Sequence, residues 1–258
     1  MKPYAGTQAP LRAVRLLKAF TAERPRLGLV ELSRAVGLNK TTAYRLLTAL
    51  ESEGMVEHRE EGYGLGPELL ALGARALGAS ELRRAARPEL LALARATRET
   101  ATLEVLADRE ALILDEVAGN HRVGTMPSIG TRWPAHATST GKAILAFLPD
   151  DEQAAFLRGS LAPLTARTMT DPRVLRRELA RIREKGWSQN AEELEEGFVA
   201  VGAPVRSADG RVSAALSAGG PRARLTADKI AELARLVPAA ARRVSERLGG
   251  PRMRKAGA

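Results

Sequence analysis

Apolar residues return every three or four positions through the first fifty residues, and the pattern breaks at tight turns. Ala13, Val14, Leu16, Leu17 and Phe20 predict one amphipathic helix, and Val30, Leu32, Ala35 and Val36 a short second one. Gly37 ends the second helix by taking positive φ. A third helix starts three residues later, with Ala43, Leu46, Leu47 and Leu50 at i, i+3, i+4 and i+7. After Gly54, Met55–Arg59 and Tyr63–Leu65 are strand candidates separated by Glu60-Glu61-Gly62, which predicts a hairpin. From Pro67 to about Thr100 the chain is helical with no strand signal. Leu69, Leu70, Leu72 and Leu77 give its first part an apolar face. Gly73 and Gly78 lower helix stability by about 1 kcal/mol each against Ala. That segment, 67–80, is therefore expected to be a linker helix that persists by packing, for example against its copy in a second chain.

Beyond residue 100 the pattern mixes strands with helices. Thr102–Ala107, Leu112–Val117, Phe198–Val205 and Val212–Ser217 predict strands. Ser139–Phe147, Glu152–Leu157, Val174–Lys185 and Thr226–Arg247 predict helices, and Ser207-Ala208-Asp209-Gly210 a turn. A mainly antiparallel sheet with helices is an α+β sensor-type domain. The expected organisation is 1–66, 67–80, 81–250 and a basic disordered tail at 251–258.

Two helices joined by a tight Gly-containing turn, followed by a hairpin, make a winged helix-turn-helix. The chemistry of the third helix agrees. Its outward side carries Lys40, Thr41, Thr42, Tyr44, Arg45 and Thr48, cations and hydroxyls suited to phosphate oxygens and base edges. His58 and Arg59 extend that set from the wing, while Glu60 and Glu61 at its tip would be repelled by phosphate. Arg34 joins the set from the second helix. The chain carries a net charge of +10, and its location is informative. Between Gln8 and Arg45, only Glu23 and Glu31 oppose Arg12, Arg15, Lys18, Arg24, Arg26, Arg34, Lys40 and Arg45.

The segment LSRAVGLNKTTAYRLLTALESEGMVE resembles the winged-helix signature of the IclR family of bacterial transcriptional regulators. The resemblance continues through the linker helix and over nearly the whole chain. Asn39 stands where many members have Pro, and Asn caps a helix N-terminus well. The resemblance implies a GAF-like effector-binding domain after the linker, and a homodimer or homotetramer on double-stranded operator DNA. A dimer sets two recognition helices about one DNA turn (~34 Å), or a multiple, apart, so the operator is expected to be roughly palindromic.

Thr138-Ser139-Thr140-Gly141-Lys142 looks like the end of a phosphate-binding loop, but two diagnostic positions fail. His136 stands where the first Gly belongs, and Ala143 follows Lys142 where Ser or Thr is required. What remains is a helix start capped by Thr138, Ser139 or Thr140, with free N–H groups beside Lys142. That arrangement suits a small anion such as a carboxylate; the alternative is simple capping with Lys142 in solvent. TSTGKAILAFLP and GWSQNAEELEEGFVAVGAPV are the segments most similar to the family's effector domain. By that resemblance, Ser139, Thr140, Asn190, Ala200, Ser217 and Gly219 line the pocket. Members that bind small 2-oxo acids carry an acidic residue, Cys and Ser at the positions of Asn190, Ala200 and Gly219. Those replacements are expected to shift ligand choice toward a bulkier or more apolar molecule, so no ligand is carried over; a carboxylate or aromatic metabolite is the candidate class.

No catalytic residue, metal or cofactor is expected. The chain has no Cys, which excludes disulfides and thiolate metal sites, and only His58, His121 and His136. A metal held by His121 or His136 with Glu192 or Glu193 is the weaker alternative. No G-x-S-x-G elbow supports a triad on Ser139. The acidic run Glu192–Glu196 is expected to be a solvated loop beside the pocket, and Trp133 and Trp187 packing anchors. There is no apolar run of about 18 residues and no signal-peptide pattern, so the expectation is a cytoplasmic protein with no membrane partner. The expected function is a ligand-responsive transcriptional regulator acting as a repressor. Its rivals are a sequence-nonspecific DNA-packaging protein and an enzyme on the α+β domain.

Overall fold

The computed structural model describes residues 7–21, 23–120 and 129–250. The chain divides into two compact units, Met1–Ala79 and Ser80–Ala258. The basic tail expected at 251–258 and His121 lie outside the described residues.

The first unit runs α1 (Gln8–Leu17), β1 (Arg26–Leu27), α2 (Leu29–Ala35), α3 (Lys40–Ser52), β2 (Val56–Arg59), β3 (Gly62–Leu65) and α4 (Pro67–Ala79). Leu16, Phe20, Leu27, Leu32, Leu47, Val56 and Tyr63 form its core. Of the apolar positions that set the helical period, Leu16, Phe20, Leu32, Ala43 and Leu47 are buried, as an amphipathic helix requires, whereas Val14, Val30 and Ala35 are exposed. Gly37 takes φ +65° after α2. Asn39 Oδ1 accepts the Thr42 N–H at 2.8 Å, so Asn caps α3 where Pro was the alternative. The wing is a three-stranded antiparallel sheet in the order β1-β3-β2. Strand β1 went unpredicted because Arg26-Leu27 is too short to show any period.

The second unit begins with α5 (Glu81–Thr97), whose N-cap Ser80 accepts the Arg83 N–H at 3.2 Å. The helical stretch expected from Pro67 to Thr100 is thus two helices, broken at a capping serine. Then follow β4 (Thr100–Ala107), β5 (Glu110–Val117), β6 (Arg132–Pro134), a 3-10 turn (Ala135–Ala137), α6 (Ser139–Leu145), α7 (Asp150–Leu157) and α8 (Pro172–Lys185). The chain continues through β7 (Ser188–Ala191), β8 (Phe198–Arg206) and β9 (Val212–Pro221) to α9 (Ala227–Arg247). One six-stranded antiparallel sheet has the order β6-β5-β4-β9-β8-β7. The predicted strands β4, β5, β8 and β9 are its centre. Its two edges, β6 and β7, were missed, since Arg132-Trp133-Pro134 and Ser188-Gln189-Asn190-Ala191 carry no apolar alternation.

Helices α5 and α9 cover one face of the sheet. Leu90, Leu93, Leu103, Val199, Val201, Val205, Leu216, Val237 and Val244 belong to one buried cluster there. On the other face, Ala143 and Ile144 of α6 pack against Ala215 of β9. Leu145 joins Phe156 and Leu157 of α7 and Leu175, Leu179 and Ile182 of α8 in a separate cluster. Because β8 and β9 are covered on both faces, they are buried almost continuously. This is the expected α+β architecture, a winged helix-turn-helix and a sheet-centred sensor fold.

Candidate functional site

On α3, Ala43 and Leu47 turn into the core, leaving Lys40, Thr41, Tyr44 and Arg45 exposed. Tyr44 is 53% exposed, an unusual degree for a large aromatic ring. Thr42 is half-buried behind the cap, and the Thr48 hydroxyl donates to the Tyr44 carbonyl at 3.0 Å. The acids of this unit are used selectively. Glu31 pairs with Arg24 at 2.7 Å, and Glu57 with Arg26 at 2.6 Å and Arg59 at 2.9 Å. Among the described residues no acid pairs with Arg34, Lys40 or Arg45, and all three are exposed. The α3 face therefore keeps uncompensated positive charge. The wing residues His58 and Arg59 are exposed but engaged locally. The His58 ring stacks on Tyr63 with centroids 4.3 Å apart, and Arg59 holds Glu57.

In the second unit, one face of the sheet floors a cavity of about 440 Å³. Strand register builds the floor. Thr100 of β4, Gly219 of β9, Ala200 of β8 and Asn190 of β7 lie opposite one another in a single row across four strands. The next row holds Thr102 of β4 opposite Ser217 of β9. Helix α6 brings Ser139 and Thr140 over this floor. Ser139, Thr140, Asn190, Ala200, Ser217 and Gly219 thus all line one cavity, joined by Ile113, Trp133, Leu194, Phe198 and Pro221 as apolar walls. A Cβ on Gly219 would lie 2.5 Å from the Ala200 side chain, so these two small residues depend on each other for space.

The Thr138–Lys142 motif is a folding device. Thr138 Oγ1 accepts the Gly141 N–H at 2.9 Å and caps α6. Gly141 is glycine because a Cβ there would lie 2.1 Å from the Ala135 carbonyl oxygen. Lys142 corrects the sequence reading in both its forms. It neither lines the cavity nor meets solvent: it is fully buried and donates to both Glu193 carboxylate oxygens, at 2.5 and 2.6 Å. An isolated ammonium at that depth would be very costly, so its partner is obligatory.

Two further expectations change in part, for the acidic run and for Trp133. The acidic run is not uniformly solvated: Glu193 is buried, and Leu194, Glu195 and Glu196 line the cavity. The segment is anchored by Thr165, whose hydroxyl donates to the Glu192 carbonyl at 2.7 Å, and by Thr168, which donates to the Glu193 carbonyl at 2.7 Å. Trp133 lines the cavity and is 36% exposed, whereas Trp187 packs against the α5–α9 core as expected. For a metal, His136 is buried with Nε2 3.0 Å from the Ala162 carbonyl, and burial holds its imidazole below the usual pKa. No group of three potential metal ligands gathers among the described residues.

The sequence reading missed Glu104. Its carboxyl lies in the cavity wall, accepting the Thr102 hydroxyl at 2.7 Å and the Thr140 hydroxyl at 2.6 Å. Burial pushes its pKa above the ordinary carboxylate value, and the two hydroxyls offset only part of that. The missed signal was Thr100, Thr102 and Glu104 at every second position of an otherwise apolar strand.

Comparison with known proteins places this geometry. Residues 9–60 match the IclR helix-turn-helix domain, and residues 74–246 match the bacterial transcriptional regulator IclR C-terminal domain. The chain belongs to the IclR family of bacterial transcriptional regulators. It is 38% identical over 205 residues to the HTH-type transcriptional regulator Rv1719 of Mycobacterium tuberculosis, covering 78% of each chain. It is 31% identical over 250 residues to the transcriptional repressor IclR of Escherichia coli, covering 95% of this chain and 91% of that one. Among solved structures, an IclR homolog from Microbacterium hydrocarbonoxydans complexed with 4-hydroxybenzoate superposes with a TM-score of 0.79 at 28% identity. That match covers 93% of this chain and 99% of the other. The protein is a DNA-binding transcriptional regulator of this family with a ligand-sensing C-terminal domain.

Proposed function

We propose that this regulator is a cytoplasmic repressor without catalytic activity, whose hold on its operator is set by a small organic molecule bound in the sheet-floored cavity. DNA contact falls to Arg34, Lys40, Thr41, Thr42, Tyr44 and Arg45, with His58 and Arg59 at the wing. Effector contact falls to Ser139, Thr140, Asn190, Ala200, Ser217 and Gly219. Residues 1–66 form the DNA-binding part, 67–80 the linker and 81–250 the effector-binding and oligomerising part. The observation that carries this reading is the cavity itself. Thr102, Glu104, Thr138, Ser139, Thr140, Asn190 and Ser217 of its lining are buried beside apolar walls, the composition of a small-molecule site. The 4-hydroxybenzoate held by the Microbacterium homolog supports an organic ligand of similar size, and the name of the Escherichia coli relative supports repression. Helix α4 supports a homodimer, since Leu70 is 79% exposed and none of its residues is buried.

The test is gel shift on the protein's own upstream region, after a thermal-shift screen of metabolites. A regulator should prefer its operator over random DNA by at least about 10³ at fixed salt. A ratio near one would indicate a nonspecific DNA-packaging protein, and turnover of a screened ligand would indicate an enzyme. Asn190→Leu should abolish the ligand response while leaving unliganded operator binding intact. Loss of both would mark a folding defect.

A further inference from the structure

Five acidic side chains are buried among the described residues of the second unit: Glu89, Glu99, Glu104, Asp115 and Glu193. Four of them hold a cation. Glu89 pairs with Arg243 and Arg247 at 2.6 and 2.7 Å, and Glu99 with Arg224 at 2.6 Å. Asp115 pairs with Arg87 at 2.8 Å and Arg83 at 3.2 Å, and Glu193 with Lys142 at 2.5 Å. Glu104 has hydroxyls for partners, and it is the one of the five that lines the cavity.

The elements packed around Glu104 bring it no cation. Strand β9 sets Ala215 opposite it, and β5 sets Ile113, with Glu116 opposite Thr102. Helix α6 brings Thr140, while its Lys142 is held by Glu193. The segment between β7 and β8 adds only acids, Glu195 and Glu196, to the charge of the cavity lining. On the far face of the sheet, Arg83 and Arg87 of α5 are engaged with Asp115. Burial therefore governs Glu104 and favours its protonated form, and the two hydroxyls offset only part of that.

Protons decide what this row of side chains offers a ligand. Ser217 lies 2.8 Å from Thr102, Thr102 lies 2.7 Å from Glu104, and Thr140 lies 2.6 Å from Glu104. Four groups are thus joined by three contacts. Each contact uses one proton, and each hydroxyl has one to give. With Glu104 ionised, the three hydroxyl protons fill the three contacts and none remains. With Glu104 protonated there are four, so one is left over. It emerges at Ser217, at Glu104 or at Thr140, according to which way the hydroxyls turn. Thr138 Oγ1 lies 3.4 Å from Thr140, too far for a good hydroxyl bond. No other hydrogen-bond partner meets these four side chains among the described residues, and all four line the cavity. The spare proton therefore faces ligand space. The Asn190 amide and the peptide N–H groups at the start of α6 are donors at any pH, so they do not carry this difference.

We propose that Glu104 sets the hydrogen-bond polarity of this row: holding its proton, it frees one donor for a carbonyl or carboxylate oxygen of the effector, and losing it withdraws that donor. Effector binding is then linked to pH, strong while Glu104 is protonated and weaker as pH rises through its titration. This rests on the cavity being the effector site, and it assigns Glu104 as a residue that sets ligand preference.

The test uses the full chain and a panel of amides, ketones and carboxylates, benzamide and 4-hydroxybenzoate among them. Binding is read by calorimetry between about pH 5 and about pH 9, a range in which benzamide itself does not titrate. The expected result is affinity for benzamide, or another neutral member, that falls at least about tenfold as pH rises, the worth of one buried donor. In two buffers of different ionisation enthalpy, the same binding should take up close to one proton at the upper end and none at the lower. Glu104→Gln keeps its amide protons at every pH, so it should bind the same probe with the pH dependence gone. The infrared band of a protonated carboxyl should be present in the original protein at neutral pH and absent from that variant. Affinity that is flat with pH and takes up no proton overturns the proposal. So does a pH dependence that persists in Glu104→Gln, or an ionised Glu104 throughout, and either leaves the effector pocket standing. If the variant fails to fold, proton uptake on the unaltered protein decides alone. Failure of the whole panel to bind overturns the effector-pocket reading, and this inference with it.

Discussion

The α3 face and the sheet-floored cavity are both polar, yet their polar groups live in opposite surroundings. Lys40, Thr41, Tyr44 and Arg45 are exposed, whereas Glu104, Ser139, Thr140, Asn190 and Ser217 are all buried. On α3 the side chains of Lys40, Thr41, Tyr44 and Arg45 reach water, so the fold constrains them little and binding constrains them most. In the cavity Ser217, Thr102, Glu104 and Thr140 are joined by hydrogen bonds, and Asn190 is tied to Glu193, so buried polar groups there lean on one another. A substitution on the first surface should cost binding, and one behind the second should cost stability.

The sharpest way to break this contrast is Lys142→Met. It leaves Glu193 buried without its cation and should cost about 3–5 kcal/mol of stability, read by denaturant unfolding. A loss well under 1 kcal/mol would mean that water reaches Glu193 and that the pocket wall is not sealed. On the other surface, Arg45→Ala should weaken operator binding by about 1–3 kcal/mol if Arg45 reads a base, with the melting temperature unmoved. A change of a few tenths, or a drop in melting temperature, removes the distinction at that residue.

Glu104→Gln sharpens the contrast through pH. The ordinary carboxyl value is 4.5 and burial raises it in the folded state. Well below the ordinary value the group is protonated in both states and costs nothing. As pH climbs from there toward the raised value, the unfolded chain ionises while the folded one keeps its proton. The original protein then loses about 1.4 kcal/mol per pH unit across that window, which the Gln variant does not. The stability advantage of Gln over Glu should therefore grow with pH. A difference that stays flat from about pH 4 to about pH 7 would show Glu104 to be ionised in the fold. The smallest effect is expected at Asn39→Ala. Loss of the α3 cap should cost about 1 kcal/mol by thermal unfolding, without altering the base preference of the operator. Altered specificity would show that the cap also positions α3.

Legibility in the sequence follows the same division. The helix-turn-helix and the hairpin could be read from their periods, and the central strands from alternation in β5 and from short apolar runs in β8 and β9, which are buried on both faces. Asn39 as a cap and Gly37 at positive φ are local, set by residues within a few positions. The cavity was named by resemblance, and Ser139, Thr140, Asn190, Ala200, Ser217 and Gly219 do line it. Its operative chemistry was not legible. Glu104 sits in TLEVLA, where a polar residue reads as the solvent side of a strand. Lys142 sits in a motif that suggests phosphate.

The sequence by itself determined the family, the helices and hairpin of the first unit, the four central strands and the cationic face of α3, because periodicity, caps and exposed charge act over one helix or one hairpin. Only the tertiary structure decided which buried carboxyl received a cation. Lys142 and Glu193 stand 51 positions apart, and Thr140 and Glu104 36 apart. Register across β4, β9, β8 and β7 sets which polar groups meet, and burial makes those meetings matter.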